Sequence, residues 1–251
     1  MRKISFCIGL LFLLPGTLMA QQVDSLVMQG QHLETAMQEA AALKKYEQAA
    51  ALDSTNVTAL SRASILYTRQ GRRQKTTKAA SPYFLEARAL AEKALRRNSN
   101  DRDANLAMGK ALRELSLTAG AKQKAAYIKE VKTYIDKLLL IDSTFAPAWH
   151  LSGDWNMEVS SLNFAERAAT RLLFGGLPQA SVGQAIADYS RSQKLDPSNI
   201  ETRYDLARAL HADHKDLDAI STLQQALRLR PIRQDDRDIQ KACREMIQQL
   251  Q

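Results

Sequence analysis

A spacing that returns after 34 residues restricts this chain more than anything in its composition. Ala185, Tyr189, Ser192 and Pro197 stand at offsets 0, 4, 7 and 12, and Ala219, Leu223, Ala226 and Pro231 stand at the same offsets 34 residues later. Residues four and three apart share one face of a helix. A small, large, small face lets a second helix approach closely while the large side chain fills the gap, and proline ends the helix. The same ruler fits Ala42, Tyr46, Ala49 and Ser54, then Ala87, Ala91, Ala94 and Ser99, and more loosely Val131, Ile135, Leu138 and Ser143. Matching first helices are read at 60–67, 105–112, 149–157 and 203–210, with Leu26 and Gly30 in the earliest one. Gly109 and Gly153 take the small position of their helices, and Trp149 an aromatic one.

No stretch shows sustained alternation of apolar and polar residues, so helices are expected throughout. The 34-residue period is that of the tetratricopeptide repeat. The expected fold is therefore all-α: a tetratricopeptide-like right-handed superhelical solenoid of about five helix-turn-helix repeats. The units are read as 23–56, 57–101, 102–145, 146–199 and 200–233. Two have 34 residues, and the middle three are longer by 11, 10 and 20, lengths expected to collect in inter-helix turns. Residues 234–251 should form a capping helix, apolar on one side through Ile239, Ala242, Cys243, Met246 and Ile247.

The first twenty residues read as a signal peptide: basic Arg2 and Lys3, an apolar run to Leu14, then Pro15, Gly16 and a small residue, Ala20, before Gln21. The run has about half of the ~20 residues a membrane span needs. An exported protein, periplasmic or extracellular, is the expectation, with 21–251 as one repeat domain. Formal charge then falls from +8 to +6, a mildly basic balance with acids and bases interspersed. One cysteine, Cys243, remains beyond the leader, so no internal disulfide is expected, and a buried small hydrophobe is its expected role.

Catalytic constellations are not seen. There is no Gly-x-Ser-x-Gly elbow, phosphate loop or His-Glu-x-x-His. His211 and His214 share a helix face but have no third ligand nearby in sequence, so solvation or capping is expected of them. The chain reads as a non-enzyme with no cofactor, no metal and no nucleic-acid partner; export, modest charge and the lack of aromatic interleaving count against the last.

Two surfaces remain for binding. Tetratricopeptide first helices line the groove of their solenoid, which turns Arg62, Ile65, Lys110, Arg113, His150, Asp154, Tyr204, Arg208 and His211 toward the concave side. That face reads as basic with a few aromatics, suited to an acidic peptide, a carboxylate terminus or a lipid headgroup. The segment 69–78 carries Arg69, Arg72, Arg73, Lys75 and Lys78 without an acid, and is read as a solvated loop or a contact for anionic phospholipid. The expected partner is a protein or peptide in the groove. The alternative is a lipid-binding or transfer module in which the extra segment 163–174 encloses an acyl chain, with Phe164, Leu172, Leu173 and Phe174 either packed into the core or lining an apolar cavity.

The fourth unit adds a sharper pattern. Trp149-His150-Leu151-Ser152-Gly153-Asp154-Trp155 is followed by Phe174-Gly175-Gly176-Leu177-Pro178 before the next repeat helix. This arrangement resembles the regulator-of-microtubule-dynamics family, which pairs a Trp-His-x-x-Gly-x-Trp helix with a Phe-Gly-Gly-x-Pro turn. The close match covers residues 146–199. The resemblance implies a helical, non-enzymatic protein. Animal members are associated with microtubules and with membrane contact sites, including phospholipid binding by the repeat domain. An exported chain would not meet microtubules, whereas lipid or peptide binding is compatible with export. Trp149 and Trp155 are six residues apart and so face roughly 120° away from one another. One is expected to pack on its repeat partner and the other on the inserted helix. Gly175 or Gly176 is expected to be left-handed, and Pro178 to start the next segment.

Overall fold

The computed structural model describes residues 15–251 and holds twelve helices and no strand among them. The expected leader, 1–20, falls largely outside the described residues. Helix α1 (Pro15–Thr35) packs antiparallel to α2 (Glu39–Leu52), α3 (Val57–Arg72) to α4 (Thr77–Arg97), and α5 (Arg102–Thr118) to α6 (Ala121–Ile141). Helix α7 (Ala146–Ser160) pairs with α9 (Val182–Leu195) across the extra helix α8 (Phe164–Phe174). Helix α10 (Ile200–Ala212) pairs with α11 (Asp216–Arg228), and α12 (Asp236–Leu250) covers that pair. No described helix is long and apolar enough to cross a membrane.

Ala42, Tyr46 and Ala49, Ala87, Ala91 and Ala94, and Ala219, Leu223 and Ala226 are all fully buried, as the small, large, small ladder requires. Glycine on the first helix completes the fit. A Cβ on Gly30 would lie 2.7 Å from the Tyr46 ring, and one on Gly153 would lie 2.6 Å from that of Tyr189. The aromatic of the second helix therefore rests directly on the backbone of the first.

The turns that follow second helices share a second code. Asp53 accepts the amide and hydroxyl of Thr55, Asp142 those of Thr144, and Asp196 those of Ser198. Asn98 accepts the amide of Asn100 in the same place. Asn56, Asp101 and Asn199 then cap the next helix through the amides of Ala59, Ala104 and Thr202. Each turn thus satisfies its own polar backbone and sets the angle of the following helix.

The extra residues of the second and third units lengthen the helices and are not looped out. Helices α4 and α6 are each 21 residues long, and the α3–α4 turn is only residues 73–76. Helix α8 absorbs the insertion of the fourth unit. Its capping box joins Asn163 and Glu166, and it ends at Gly175 (φ +72°) and Gly176 (φ +112°), whose amides close on Arg171 and Thr170. Nothing lies near the Cβ a side chain would add at Gly175, so a substitution there meets backbone strain alone. Gly175→Ala should cost about 1 kcal/mol and the β-branched Gly175→Val more, read from midpoints of chemical denaturation. Equal stability of Gly175→Val and wild type would contradict the left-handed cap.

Helix α8 does not serve the role expected of it. It rests on α6 through Lys124, whose ammonium pairs with Glu166 (2.9 Å), and through Lys129, 4.4 Å from the centre of the Phe174 ring. Phe164 (89% exposed) and Leu172 (86%) point to solvent, so neither packs into the core nor lines a chamber. Trp155 is buried against α6, with Nε1 donating to the Ile128 carbonyl at 2.9 Å. Trp149 is half-buried and donates to the Ser143 carbonyl in the α6–α7 turn. The inserted helix is therefore held by α6, not by a hydrogen bond to either tryptophan. The Leu177 and Ala180 side chains after the glycine turn pack on the cluster that contains Trp155.

The two ends of the superhelix meet. The Glu39 amide donates to Gln234 Oε1 (3.1 Å), and the Arg73 guanidinium grips Asp235 with two bonds (2.6 and 2.7 Å) while also pairing with Glu39. This closure encircles a central cavity. At the far end, Cys243 is fully buried, and burial pushes its thiol up to about 11, which makes it an inert packing group.

Candidate functional site: a charged cavity inside the superhelix

Four first helices and the two chain ends build the cavity wall. Helix α3 contributes Arg69 and Arg72, α5 Lys110, Arg113 and Glu114, α7 His150 and Asp154, and α10 Glu201, Asp205 and Arg208. Spacings of three and four residues put each set on one helix face. Glu39, Arg73, Arg233 and Asp235 close the ring. The space is about 690 Å³ and opens to solvent.

The wall is charge-balanced, which corrects the basic groove expected from the sequence. Eight Lys or Arg and eight Asp or Glu line it. Arg69 pairs with Glu39 (2.6 Å), Arg72 with Glu201 (2.5 Å), Arg113 with Glu114 (2.7 Å) and Arg208 with Asp205 (3.3 Å). Burial would drive the Glu201 carboxyl up, but Arg72, His150 and Lys110 hold it well below the usual carboxylate range. Asp154 is held low in the same way by Arg113 and His150, against burial.

His150 sits at the centre of this wall. Its Nε2 lies 3.1 Å from Asp205 and 3.6 Å from Asp154, and its Nδ1 lies 3.0 Å from the Thr202 hydroxyl. The ring meets Tyr189 edge-on, and the Tyr189 hydroxyl donates to Asp154 (2.8 Å). One imidazole nitrogen and two carboxylate oxygens thus fall within 4.8 Å of each other, a donor set that suits a cation. Arg113 and Arg208 already neutralise those carboxylates and Thr202 occupies Nδ1, so the group reads as a closed polar network and not as a metal centre. Burial alone would lower the His150 pKa, but Asp154, Asp205 and Glu201 raise it above its ordinary 6.5. A pKa raised in the folded state means that His150 contributes its stability below about pH 6.5 and loses it as pH rises through the folded value. Stability measured by urea unfolding should fall across that range, and the fall should vanish in His150→Gln. An unchanged pH slope in the variant would show that another group titrates.

The other residues singled out from the sequence are distributed differently. Arg62 pairs with Glu34 beside Tyr46, in a neighbouring hollow with Arg69 and residues 230–233. Tyr204 packs half-buried against the last core cluster, with the Arg208 guanidinium 5.9 Å from its ring centre. His211 is exposed and bound to Asp216 (2.6 Å), and His214 is a left-handed turn residue (φ +59°). The segment expected as a basic loop is the end of α3 and its cap: Arg69, Arg72 and Arg73 turn inward onto acids, while Lys75 and Lys78 stay exposed. Sequence reasoning missed the acids Glu39, Glu201, Asp205 and Asp235. Two of them were within reach, since Glu201 and Asp205 lie seven and three residues before Arg208 and share its helix face.

Comparison with known proteins settles the lineage. A family model described as regulator of microtubule dynamics protein 1-3 matches residues 19–251. The chain belongs to that family. Regulator of microtubule dynamics protein 2 of Bos taurus is 26% identical over 128 residues, 51% of this chain and 31% of that protein. Regulator of microtubule dynamics protein 1 of Caenorhabditis elegans is 24% identical over 118 residues, 47% of this chain and 52% of that one. The chain thus spans about a third to a half of the length of the curated relatives it matches. A thermophilic TPR protein of Thermus thermophilus superposes with a TM-score of 0.66 at 15% identity, over 90% of this chain and 99% of that one. The likeness establishes the tetratricopeptide-type fold of this family member.

Proposed function

We propose that this family member is a non-enzymatic scaffold that takes a peptide or protein partner into its central cavity. The observation that carries the reading is the convergence of inward-facing polar side chains from four successive first helices, α3, α5, α7 and α10, on one open space of about 690 Å³. A wall of paired charges suits an extended backbone and its polar side chains, and does not suit an acyl chain. The hollow beside α8, about 560 Å³, opens to solvent and mixes Arg167, Thr170 and Gln184 with Val159 and Leu162, so it is not an acyl chamber either. The role proposed here is that of an exported protein, on the strength of the basic and apolar start of the chain.

Leu117, 49% exposed, lines the cavity, and Leu140, 87% exposed, stands on α6 outside it. A photo-crosslinking amino acid at position 117 should capture a discrete partner in the native host, and one at 140 should not. Capture from 140 alone would place the partner on the outer surface and end the groove reading.

A further inference from the structure

Helix α8 presents apolar surface that its own fold does not use. Thr170 is its one buried residue, while Phe164 and Leu172 stand 89% and 86% exposed. These two are eight positions apart, about 12 Å along the helix axis, and exposed Ala168 lies midway between them on the same face. Two large side chains thus flank a small floor. The border of that face is cationic. Arg167 is fixed by the carbonyls of Leu162 and Ser160 and meets no acid, and the Arg171 side chain makes no ion pair or hydrogen bond among the described residues. The acid of the helix, Glu166, is taken by Lys124.

A feature of opposite charge stands on the next repeat. Leu217, in the first turn of α11, is 84% exposed, with Asp216 and Asp218 on either side of it in sequence. Asp216 holds His211, whereas the Asp218 side chain makes no ion pair or hydrogen bond among the described residues. Both features share one edge of the superhelix, because each follows the end of a first helix: α8 follows α7, and α11 follows α10.

We propose that a second copy of this chain docks on this edge, with Leu217 of each copy seated over Ala168 between Phe164 and Leu172 of the other, and Asp218 against Arg171. Apolar side chains at this exposure mark an interaction surface when a charged border surrounds them. The charges then choose the arrangement. Two copies of α8 packed on each other about a two-fold axis would set Arg167 and Arg171 beside their own equivalents, and juxtaposed like charges oppose association. The first turn of α11 brings both the apolar knob and the missing acid. Because the two features share an edge, a two-fold axis lying in the interface makes the contact twice, once in each direction, and closes the pair. The contact uses none of the residues that line the central cavity, so it is independent of the groove reading.

Sedimentation of the full chain should show a dimer that forms as protein concentration rises. Arg171→Glu and Asp218→Arg should each raise the dissociation constant about tenfold or more, since two-fold symmetry applies each reversal twice. Mixing the two variants should restore the dimer as a 1:1 pair, because one contact is then wild type and the other has its charges exchanged. Leu217→Ser, and Phe164→Ser with Leu172→Ser, should give monomers of unchanged helicity by circular dichroism, as these side chains stand in solvent. A chain that stays monomeric at every concentration overturns the proposal. So does a dimer that Phe164→Ser breaks while Leu217→Ser and Asp218→Arg leave it intact, which would pair α8 with α8. Monomers that pellet with vesicles of equal phosphatidylcholine and phosphatidylglycerol, and fail to do so after Phe164→Ser, would give the face to a membrane surface and overturn it too.

Discussion

Trp155→Ala should lower stability by about 3–5 kcal/mol, the range for removing a large buried aromatic. The ring is 2% exposed and belongs to the buried cluster that includes Ile128, Val131, Leu151, Val159 and Leu162, and its Nε1 is fastened to the Ile128 carbonyl at 2.9 Å. The cluster draws together residues of α3, α4, α5, α6 and α7 with Leu177 and Ala180 after the glycine turn, so the ring sits in a core shared by several repeats. Trp155→Phe keeps most of the apolar volume but drops the hydrogen bond, and should cost clearly less. Urea unfolding followed by circular dichroism would order the three proteins. A Trp155→Ala protein that unfolds at the wild-type midpoint yet loses its partner would show that the ring contacts ligand, and the architectural assignment would fail.

What the sequence made legible is what helix packing writes periodically. The ladders Ala42, Tyr46, Ala49 and Ala219, Leu223, Ala226 recur because each pair of helices solves the same close-approach problem. The left-handed turn after Phe174 was legible for a related reason, since two adjacent glycines at a helix end suit little else. The aspartates of the inter-helix turns were passed over because the ruler followed the next residue, Ser54, Ser143 or Pro197, while the hydrogen bonds are made by Asp53, Asp142 and Asp196. The charge balance of the cavity was hidden more deeply. The partners of Arg72 and Arg73 lie 129 and 162 residues away, and no local pattern records a ring that closes on itself. The outward face of α8 was misread because Phe164 and Leu172 are apolar, yet the inner side of that helix is held by the lysines of α6.

That closure yields the second large expected effect. Glu39 is 3% exposed and its carboxylate receives both Arg69 and Arg73, joining α2 to the end of α3, while its backbone amide is held by Gln234 and Arg73 in turn grips Asp235 ahead of α12. Glu39→Gln leaves Arg69 without its closest acid and Arg73 with Asp235 alone. Removing one member of a buried ion pair costs about 3–5 kcal/mol, and solvent reaches both arginines here, which lowers the expectation to about 2 kcal/mol. The structural change should exceed the energetic one. Each helix pair keeps its own apolar contacts with its neighbours, whereas across the closure the Glu39 amide meets Gln234 and the Arg73 guanidinium meets Asp235. Glu39→Gln removes the carboxylate that holds Arg73 beside Asp235, and Arg73→Ala removes that grip outright, so both should loosen the closure and open the superhelix without melting its helices. Small-angle scattering should report a larger radius of gyration for Glu39→Gln and for Arg73→Ala, with helicity unchanged by circular dichroism. If the radius stays constant in both variants, apolar packing between successive helix pairs fixes the ring by itself, and the cavity is a rigid vessel whose ligand enters through its permanent opening.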